Sequence, residues 1–318
     1  MPRCDVCFRH CEISEGQLGF CGARTCINGK VVPSGYGRLS AIMLDPIEKK
    51  PLSRFFPGSK VLSVGSFGCN LRCPFCQNSE ISWGEESMEM TRRIRDCVVR
   101  RGGIPARGMG APEGRQMEED EDRNIPDFVS PEWLADTAAR YREAGNIGVA
   151  FTYNEPLIGY EFVLDTAKLV HARGMKTVLV SNGTAELPVL DKLLPYIDAM
   201  NIDLKGFTDL YYSKVLGGDR RMVMDFITHA VQSAHVELTT LIIPGENDSE
   251  EEMRELSAWI ANLRDRNGNL IGTKIPLHIS RFFPRFHMTD RDATDVRWIY
   301  HLADVARERL EYVYAGNC

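Results

Sequence analysis

No run of apolar residues in this sequence approaches the roughly 18 that a membrane-spanning helix requires, which excludes an integral helical membrane protein. A surplus of basic charge is also missing: 38 Lys and Arg stand against 44 Asp and Glu, a formal net charge of −6. The chain as a whole therefore attracts neither nucleic acid nor an anionic membrane surface. Its first residues, MPRCDVCFRHCE, are polar and Cys-rich and lack the apolar core of a signal peptide, so a cytoplasmic protein is expected. What remains is the composition of an ordinary globular protein, 43% hydrophobic and 26% charged. Its 318 residues suit one α/β barrel with appendages.

Cysteine departs from this ordinariness. Ten cysteines in a cytoplasmic chain argue for metal ligation over disulfides. Five lie within residues 4 to 26 and three within residues 69 to 76, while Cys97 and Cys318 stand alone and can serve as small core residues.

Six apolar, β-branched runs read as strands: VLSVGSFG (61–68), IGVAFTYN (147–154), KTVLVSN (176–182), AMNIDLKG (199–206), VELTTLIIPG (236–245) and IPLHISRFF (275–283). They are nearly continuous rather than alternating, as strands covered on both faces are. Amphipathic helices separate them. One runs over 130–145, with Ser130 as N-cap, Pro131 in the first turn and Gly145 as its stop. A second covers 156–174 and ends on Gly174; further helices are expected near 186–195, 222–234, 250–263 and 294–310. This alternation predicts a parallel sheet of right-handed βαβ units, best matched by a partial (β/α)6 barrel, with a doubly wound open sheet as the other reading. In either, functional groups collect at the strand ends. Residues 84–127 break the pattern. Seven Arg between 92 and 115 precede the acidic run EEDED, and Gly and Pro are plentiful, so a flexible insertion is expected there.

GCNLRCPFCQN (68–78) follows the first strand and places Cys69, Cys73 and Cys76 within eight positions, with no fourth cysteine at hand. A structural zinc site closes with four ligands, and a bacterial ferredoxin shows a different spacing. Three thiolates on a cubane leave one iron open to a small molecule. This stretch, with Phe75 as the aromatic of a Cys-x3-Cys-x-aromatic-Cys pattern, resembles the cluster loop of the radical S-adenosylmethionine (SAM) superfamily. The phrases DPIEKKPL, TYNEP, NIDLKGF, TTLIIPGENDSEEE, PLHISRFFPR and YVYAGN extend the resemblance over nearly the whole chain except 84–127. They place it in the branch similar to pyruvate formate-lyase activating enzymes, closest to the radical SAM member of the AmmeMemoRadiSam system.

The resemblance implies a [4Fe–4S] cluster on Cys69, Cys73 and Cys76, with SAM on the open iron. Reductive cleavage then yields methionine and a 5′-deoxyadenosyl radical that abstracts hydrogen. The protein supplies placement and exclusion of water. It further implies that Asn154 and Glu155, in a GGEP-like position, hold the SAM ammonium, with Glu155 as the acidic contact. Ser181 and Asn182 suit the ribose or carboxylate, Asp203 the ribose hydroxyls and Lys205 the methionyl carboxylate. In NIDLK, alternation puts Asn201, Asp203 and Lys205 on one strand face. The LIIPG stretch, with Pro244, would cover adenine. His278 and Arg281, at the last strand end, are further candidates. Each of these residues alone is equally well a buried polar group satisfied by nearby backbone. Their joint position at successive strand ends favours a site.

At the N-terminus, Cys4, Cys7, Cys11 and Cys21 can close a tetrahedral zinc site, which a short segment poor in apolar residues needs to hold its shape. An auxiliary iron–sulfur cluster is the other reading, and His10 can replace one ligand. Related chains usually carry four cysteines here, so Cys26 is a bystander. The expected organisation is a Cys-rich segment over 1–58 and a partial barrel over 59–318. A protein or peptide substrate, by analogy with glycyl-radical activation, and an electron donor such as a flavodoxin or ferredoxin are expected. The alternatives are radical SAM modification of a small molecule and a non-catalytic iron–sulfur electron carrier.

Overall fold

A computed structural model describes residues 1–83 and 128–318. The expected insertion over 84–127, with Cys97, lies outside the described residues. The chain divides into two compact units. The first comprises residues 1–46, 58–70 and 78–179; the second comprises 47–57, 71–77 and 180–318.

The first unit opens with the Cys-rich segment and an antiparallel hairpin, β1 (Arg24–Ile27) and β2 (Lys30–Pro33). β3 (Ala41–Pro46) pairs antiparallel with β4 (Lys60–Gly65), and β4, β5 (Asn146–Phe151) and β6 (Lys176–Ser181) follow in parallel. The register slips between Lys60 and Leu62, where Asn146 enters the ladder. Its Oδ1 accepts from the Leu62 amide at 2.9 Å and its Nδ2 donates to the Ala138 carbonyl at 2.8 Å. Two residues on, Gly148 is obligatory, because a Cβ there would stand 1.7 Å from the Lys176 carbonyl oxygen of the next strand.

The helices of this unit are α1 (Ser79–Trp83), α2 (Pro131–Arg140) and α3 (Tyr160–Ala172). α2 begins as its sequence predicts: Ser130 Oγ accepts from the Trp133 amide at 3.1 Å and Pro131 fills the first turn. It ends five residues before Gly145; a 3-10 turn, Arg142–Ala144, carries the chain to that glycine, which is left-handed at φ 89°. The helix over 156–174 likewise starts as a 3-10 turn, Pro156–Gly159, before α3.

In the second unit four parallel strands follow in order, β7 (Ala199–Asp203), β8 (His235–Ile242), β9 (Leu277–Arg281) and β10 (Val313–Gly316). Their helices are α4 (Leu187–Leu193), α5 (Arg220–Ala230), α6 (Glu250–Ala261) and α7 (Val296–Arg307). Asp219, Ser249 and Asp295 cap α5, α6 and α7 through their side chains. Three glutamates, Glu250 to Glu252, open α6, where the helix dipole favours negative charge. The six predicted strands are β4 to β9. The sequence reading omitted β3, β10, the hairpin and a π-helical turn over Tyr211–Leu216. Among the described residues no helix is long and apolar enough to cross a membrane.

Candidate radical SAM site

The cluster loop leaves β4 under tight control by the first unit. Asn154, just past β5, accepts from the Ser66 amide at 3.0 Å and donates from Nδ2 to the Gly68 carbonyl at 2.9 Å. Asn154 therefore shapes the entry to the loop. Glu155 is buried, and its Oε1 accepts from the Leu157 amide at 3.0 Å, capping the turn that leads to α3. Tyr153, between the strand and these two, is a non-glycine residue at φ 72°. Its hydroxyl donates to Asp45 at 2.8 Å, and its carbonyl accepts from Asn78 Nδ2 at 2.6 Å, just beyond the loop. A left-handed tyrosine persists only where its surroundings over-determine it, as these two bonds do.

The second half of the loop belongs to the second unit. The Arg72 amide donates to the Leu216 carbonyl at 2.9 Å, and the His287 amide donates to the Pro74 carbonyl at 2.9 Å. Phe75 is buried, as the aromatic of the motif should be if it fills space beneath the loop. Cys73 is buried and Cys76 half-buried, with the Cys76 amide donating to the Cys73 carbonyl at 3.2 Å. Burial pushes the Cys73 thiol up to about 11, against the pull of the Lys205 ammonium, which lowers it.

Asp203 ends β7, and Lys205 lies two residues beyond the strand, not on its face as alternation suggested. The two form an ion pair, Nζ to Oδ2 at 2.7 Å, and both remain partly open to solvent. Burial works against the Lys205 charge, but Asp203 and a Cys73 thiolate outweigh it, so the ammonium is held well above its usual range. The Lys205 amide donates to the Tyr212 hydroxyl at 3.0 Å, and its carbonyl accepts from Asn247 at 2.7 Å. Tyr211, next to Tyr212 on the π-helical turn, is buried, and its hydroxyl has no hydrogen-bond partner among the described residues. Burial, with a Cys73 thiolate next in effect, raises its pKa well above the usual phenol range. Neither tyrosine stands out in the sequence.

Other predicted residues occupy more local settings. Ser181 Oγ accepts from the Gly183 amide and Asn182 Oδ1 from the Thr184 amide, each at 3.0 Å, so both brace the turn after β6. The Pro244 carbonyl accepts from Arg291 at 2.9 Å. Arg281 donates from Nε to the Thr294 carbonyl at 2.7 Å and lies over the Phe283 ring. Asn201 donates to the Pro51 carbonyl at 2.8 Å and accepts from Thr239 at 2.9 Å. His278 contacts a carboxylate that the sequence reading overlooked: its Nε2 lies 2.7 Å from Oε2 of the fully buried Glu237.

The N-terminal cysteines sit together in the first unit. Cys4, Cys7, Cys11 and Cys21 line one cavity with Arg9 and Arg24. Burial raises the thiols of Cys4 and Cys7, and pushes Cys21 up to about 12. Arg24, held by both Glu161 oxygens at 2.7 Å, brings its guanidinium charge to Cys4 and Cys21. Cys26 lies apart from the four, with its thiol 3.3 Å from Glu15. Among the described residues no three His, Cys, Asp or Glu side chains are drawn together as ligands, either here or at the cluster loop. A further cavity of the first unit is mainly apolar, lined by Tyr36, Leu39, Val64 and Phe162. Its polar Ser66 and Asn154 are already paired with each other.

Comparison with known proteins decides the family. Residues 63–257 match the radical SAM superfamily, more than half of the chain. The chain belongs to the radical SAM superfamily. An uncharacterized protein of Methanocaldococcus jannaschii, MJ0808, is 36% identical over 99% of this chain and 81% of its own length. The pyruvate formate-lyase-activating enzyme of Clostridium pasteurianum is 29% identical over 39% of this chain and 52% of its own, which supports the branch similar to activating enzymes. A radical SAM methyltransferase from Sphaerobacter thermophilus shares the fold at a TM-score of 0.51 and 16% identity, over 82% of this chain and 67% of that one. The fold is thus α/β, of the partial (β/α)6 barrel type found in radical SAM enzymes. The cofactors of the superfamily, a [4Fe–4S] cluster and SAM, go with that membership.

Those cofactors fit the residues present. Cys73 is buried, and the Lys205 ammonium acts on it, so a thiolate bound to iron there would meet a compensating charge. The Asp203–Lys205 pair offers an acceptor suited to hydroxyl groups and a cation suited to a carboxylate. If the pair serves SAM, Asp203→Ala or Lys205→Ala removes a charge-assisted hydrogen bond worth about 1.5–3 kcal/mol, roughly 10- to 150-fold in affinity. Iron content and the visible cluster spectrum are expected to stay intact. Calorimetric titration with SAM, alongside melting temperature and iron analysis, checks this; a large fall in melting temperature with unchanged affinity assigns the pair to bracing the turn.

Proposed function

We propose that this radical SAM enzyme acts on a protein or peptide, taking a hydrogen atom from it in the manner of an activating enzyme. The observation that carries the reading is the three-cysteine loop on β4, whose buried Cys73 feels the charges of the Asp203–Lys205 pair. Similarity to enzymes named for activating pyruvate formate-lyase, itself a protein, supports the substrate class. We place the enzyme in the cytoplasm, on the strength of its clustered cysteines.

Cys69, Cys73 and Cys76 would hold the cluster. When bound, it supplies an electron that splits SAM into methionine and a 5′-deoxyadenosyl radical. The chain's own residues do the placing. Asn154 fixes the loop entry at Ser66 and Gly68. Lys205 and Asp203 would meet the carboxylate and hydroxyl groups of SAM. Tyr211 and Tyr212, both buried, keep water from the neighbourhood of Cys73.

The test is anaerobic. Reconstituted protein reduced with dithionite, or with a flavodoxin or ferredoxin, is expected to show an EPR signal that changes on adding SAM and to release 5′-deoxyadenosine. Incubation with candidate partner proteins, followed by mass mapping, then looks for a modified residue. A cluster whose spectrum ignores SAM would leave an electron carrier as the better reading. Turnover of small molecules alone would reassign the substrate class.

Cys4, Cys7, Cys11 and Cys21 are proposed to hold a structural metal, with zinc as the first choice for a four-thiolate set. Four thiolates on a divalent ion leave a net charge of about −2, and Arg9 and Arg24 stand at the same cavity to offset it. The Cys69/Cys73/Cys76→Ala triple variant is expected to retain about one zinc per chain. Iron with labile sulfide in that variant would mean an auxiliary cluster instead.

A further inference from the structure

We infer that the N-terminal thiol site clamps the cluster loop at Cys69, through Arg9 and Asn70, and so governs how firmly the loop retains iron. This rests on the reading that Cys4, Cys7, Cys11 and Cys21 take up a metal. Three consecutive loop residues meet the N-terminal segment within the first unit. Gly68, at φ +93°, lies so close that a Cβ would stand 2.3 Å from the Cys21 carbonyl oxygen, which admits no side chain. Cys69 is within electrostatic reach of Arg9, whose charge also acts on Cys7 and Cys11. Asn70 is buried, its side chain favours the Cys7 thiolate, and its carbonyl accepts from Arg9 Nε at 3.2 Å. The Arg9 guanidinium is itself fixed, 3.7 Å above the Phe20 ring.

These contacts are polar and end on atoms that metal binding changes. A metal that replaces the Cys7 proton would leave its sulfur a stronger acceptor, so the pull on the Asn70 side chain would strengthen when the N-terminal site is filled. Arg9 sits where it is attracted by negative charge on both thiol groups at once. Asn70 adjoins Cys69 in the chain, so fixing Asn70 fixes the direction in which Cys69 presents its sulfur. Partners that orient a metal ligand in this way commonly alter metal affinity 10- to 100-fold. Asn70 and Arg9 are thus positioning residues.

The test uses reconstituted full-length protein and measures anaerobic loss of cluster iron to an excess of bathophenanthroline disulfonate, with N-terminal metal determined on the same samples. Asn70→Ala and Arg9→Leu are each expected to release iron about tenfold faster than the parent while keeping the N-terminal metal, and to alter the EPR spectrum of the reduced cluster. Arg9→Lys, which keeps a cation and a donor, is expected to recover most of the retention. Cys11→Ser, which depletes the N-terminal metal, is expected to speed iron loss to a similar degree. Arg9→Leu lies outside the loop, so it reports on the clamp even if Asn70→Ala misfolds. Parental iron retention and spectrum in Asn70→Ala and Arg9→Leu, with N-terminal metal present, would overturn the clamp alone. Absence of N-terminal metal from the parent protein would remove the premise and the clamp together.

Discussion

Replacing Cys73 with Ala is expected to abolish the [4Fe–4S] cluster and reduce 5′-deoxyadenosine release to background, as are Cys69→Ala and Cys76→Ala. A free thiol at Cys73 has its pKa pushed up to about 11, so burial there brings no reactivity by itself. Iron would displace the proton and bind the sulfur as thiolate, and the nearby Lys205 charge would then favour that ligand. With three protein thiolates per cluster, loss of one leaves two, too few to hold a cubane against chelation. Cys26→Ala and Cys318→Ala serve as controls. Cys26 is tucked against Glu15 and Cys318 is exposed near the Gly316 carbonyl, so neither change is expected to affect iron content or activity. Iron and sulfide assays with EPR on each variant decide the matter. A Cys73→Ala protein that keeps four irons and still cleaves SAM would remove this loop from the chemistry.

The sequence made the six central strands legible because each is a short, nearly unbroken apolar run ending in polar residues. β3 escaped because its apolar run in AIMLDP is short and ends in Asp-Pro, and because it pairs antiparallel at one side of β4. β10 escaped because four residues, VYAG, carry too little pattern. The three-cysteine motif was legible since its spacing is local. The residues around it were not, because their partners are far away in the chain. Asn70 meets Arg9 across 61 positions, and Glu237 meets Ser53 across 184. A charged residue inside the apolar run VELTTLIIPG was the only clue to Glu237. Its acceptor role depends on groups from three separate segments. Lys205 lies past the strand end because the Tyr212 hydroxyl and Asn247 hold its backbone there, which strand alternation does not show.

Glu237→Gln is expected to destabilise the protein by on the order of 3 kcal/mol at neutral pH, the largest stability effect foreseen for a single polar substitution. The Glu237 carboxylate is buried and receives four donors: the Ser53 amide at 2.9 Å, the Arg54 amide at 2.7 Å, His235 at 2.9 Å and His278 at 2.7 Å. Burial alone would raise its pKa, but the hydrogen bonds from His235, His278 and the two amides outweigh that and bring it down to about 2. Against an unfolded value near 4.3, that shift of roughly two units corresponds to the stated energy. Because the folded pKa is the lower one, the contribution is present in full above the unfolded value and is lost as pH falls from about 4 to about 2. Glutamine keeps the shape but offers one acceptor oxygen, and its amide hydrogens face donors. The apparent melting temperature is therefore expected to drop by roughly 5–10 °C at pH 7, and the gap between parent and variant to close towards pH 2. The same experiment settles His278, whose ring also stacks on Tyr314 at 5.2 Å. As a brace, His278→Gln should lower the melting temperature and leave SAM affinity unchanged. A loss of SAM affinity at an unchanged melting temperature would return His278 to the site, and a Glu237→Gln protein as stable as its parent across the whole pH range would dissolve the network.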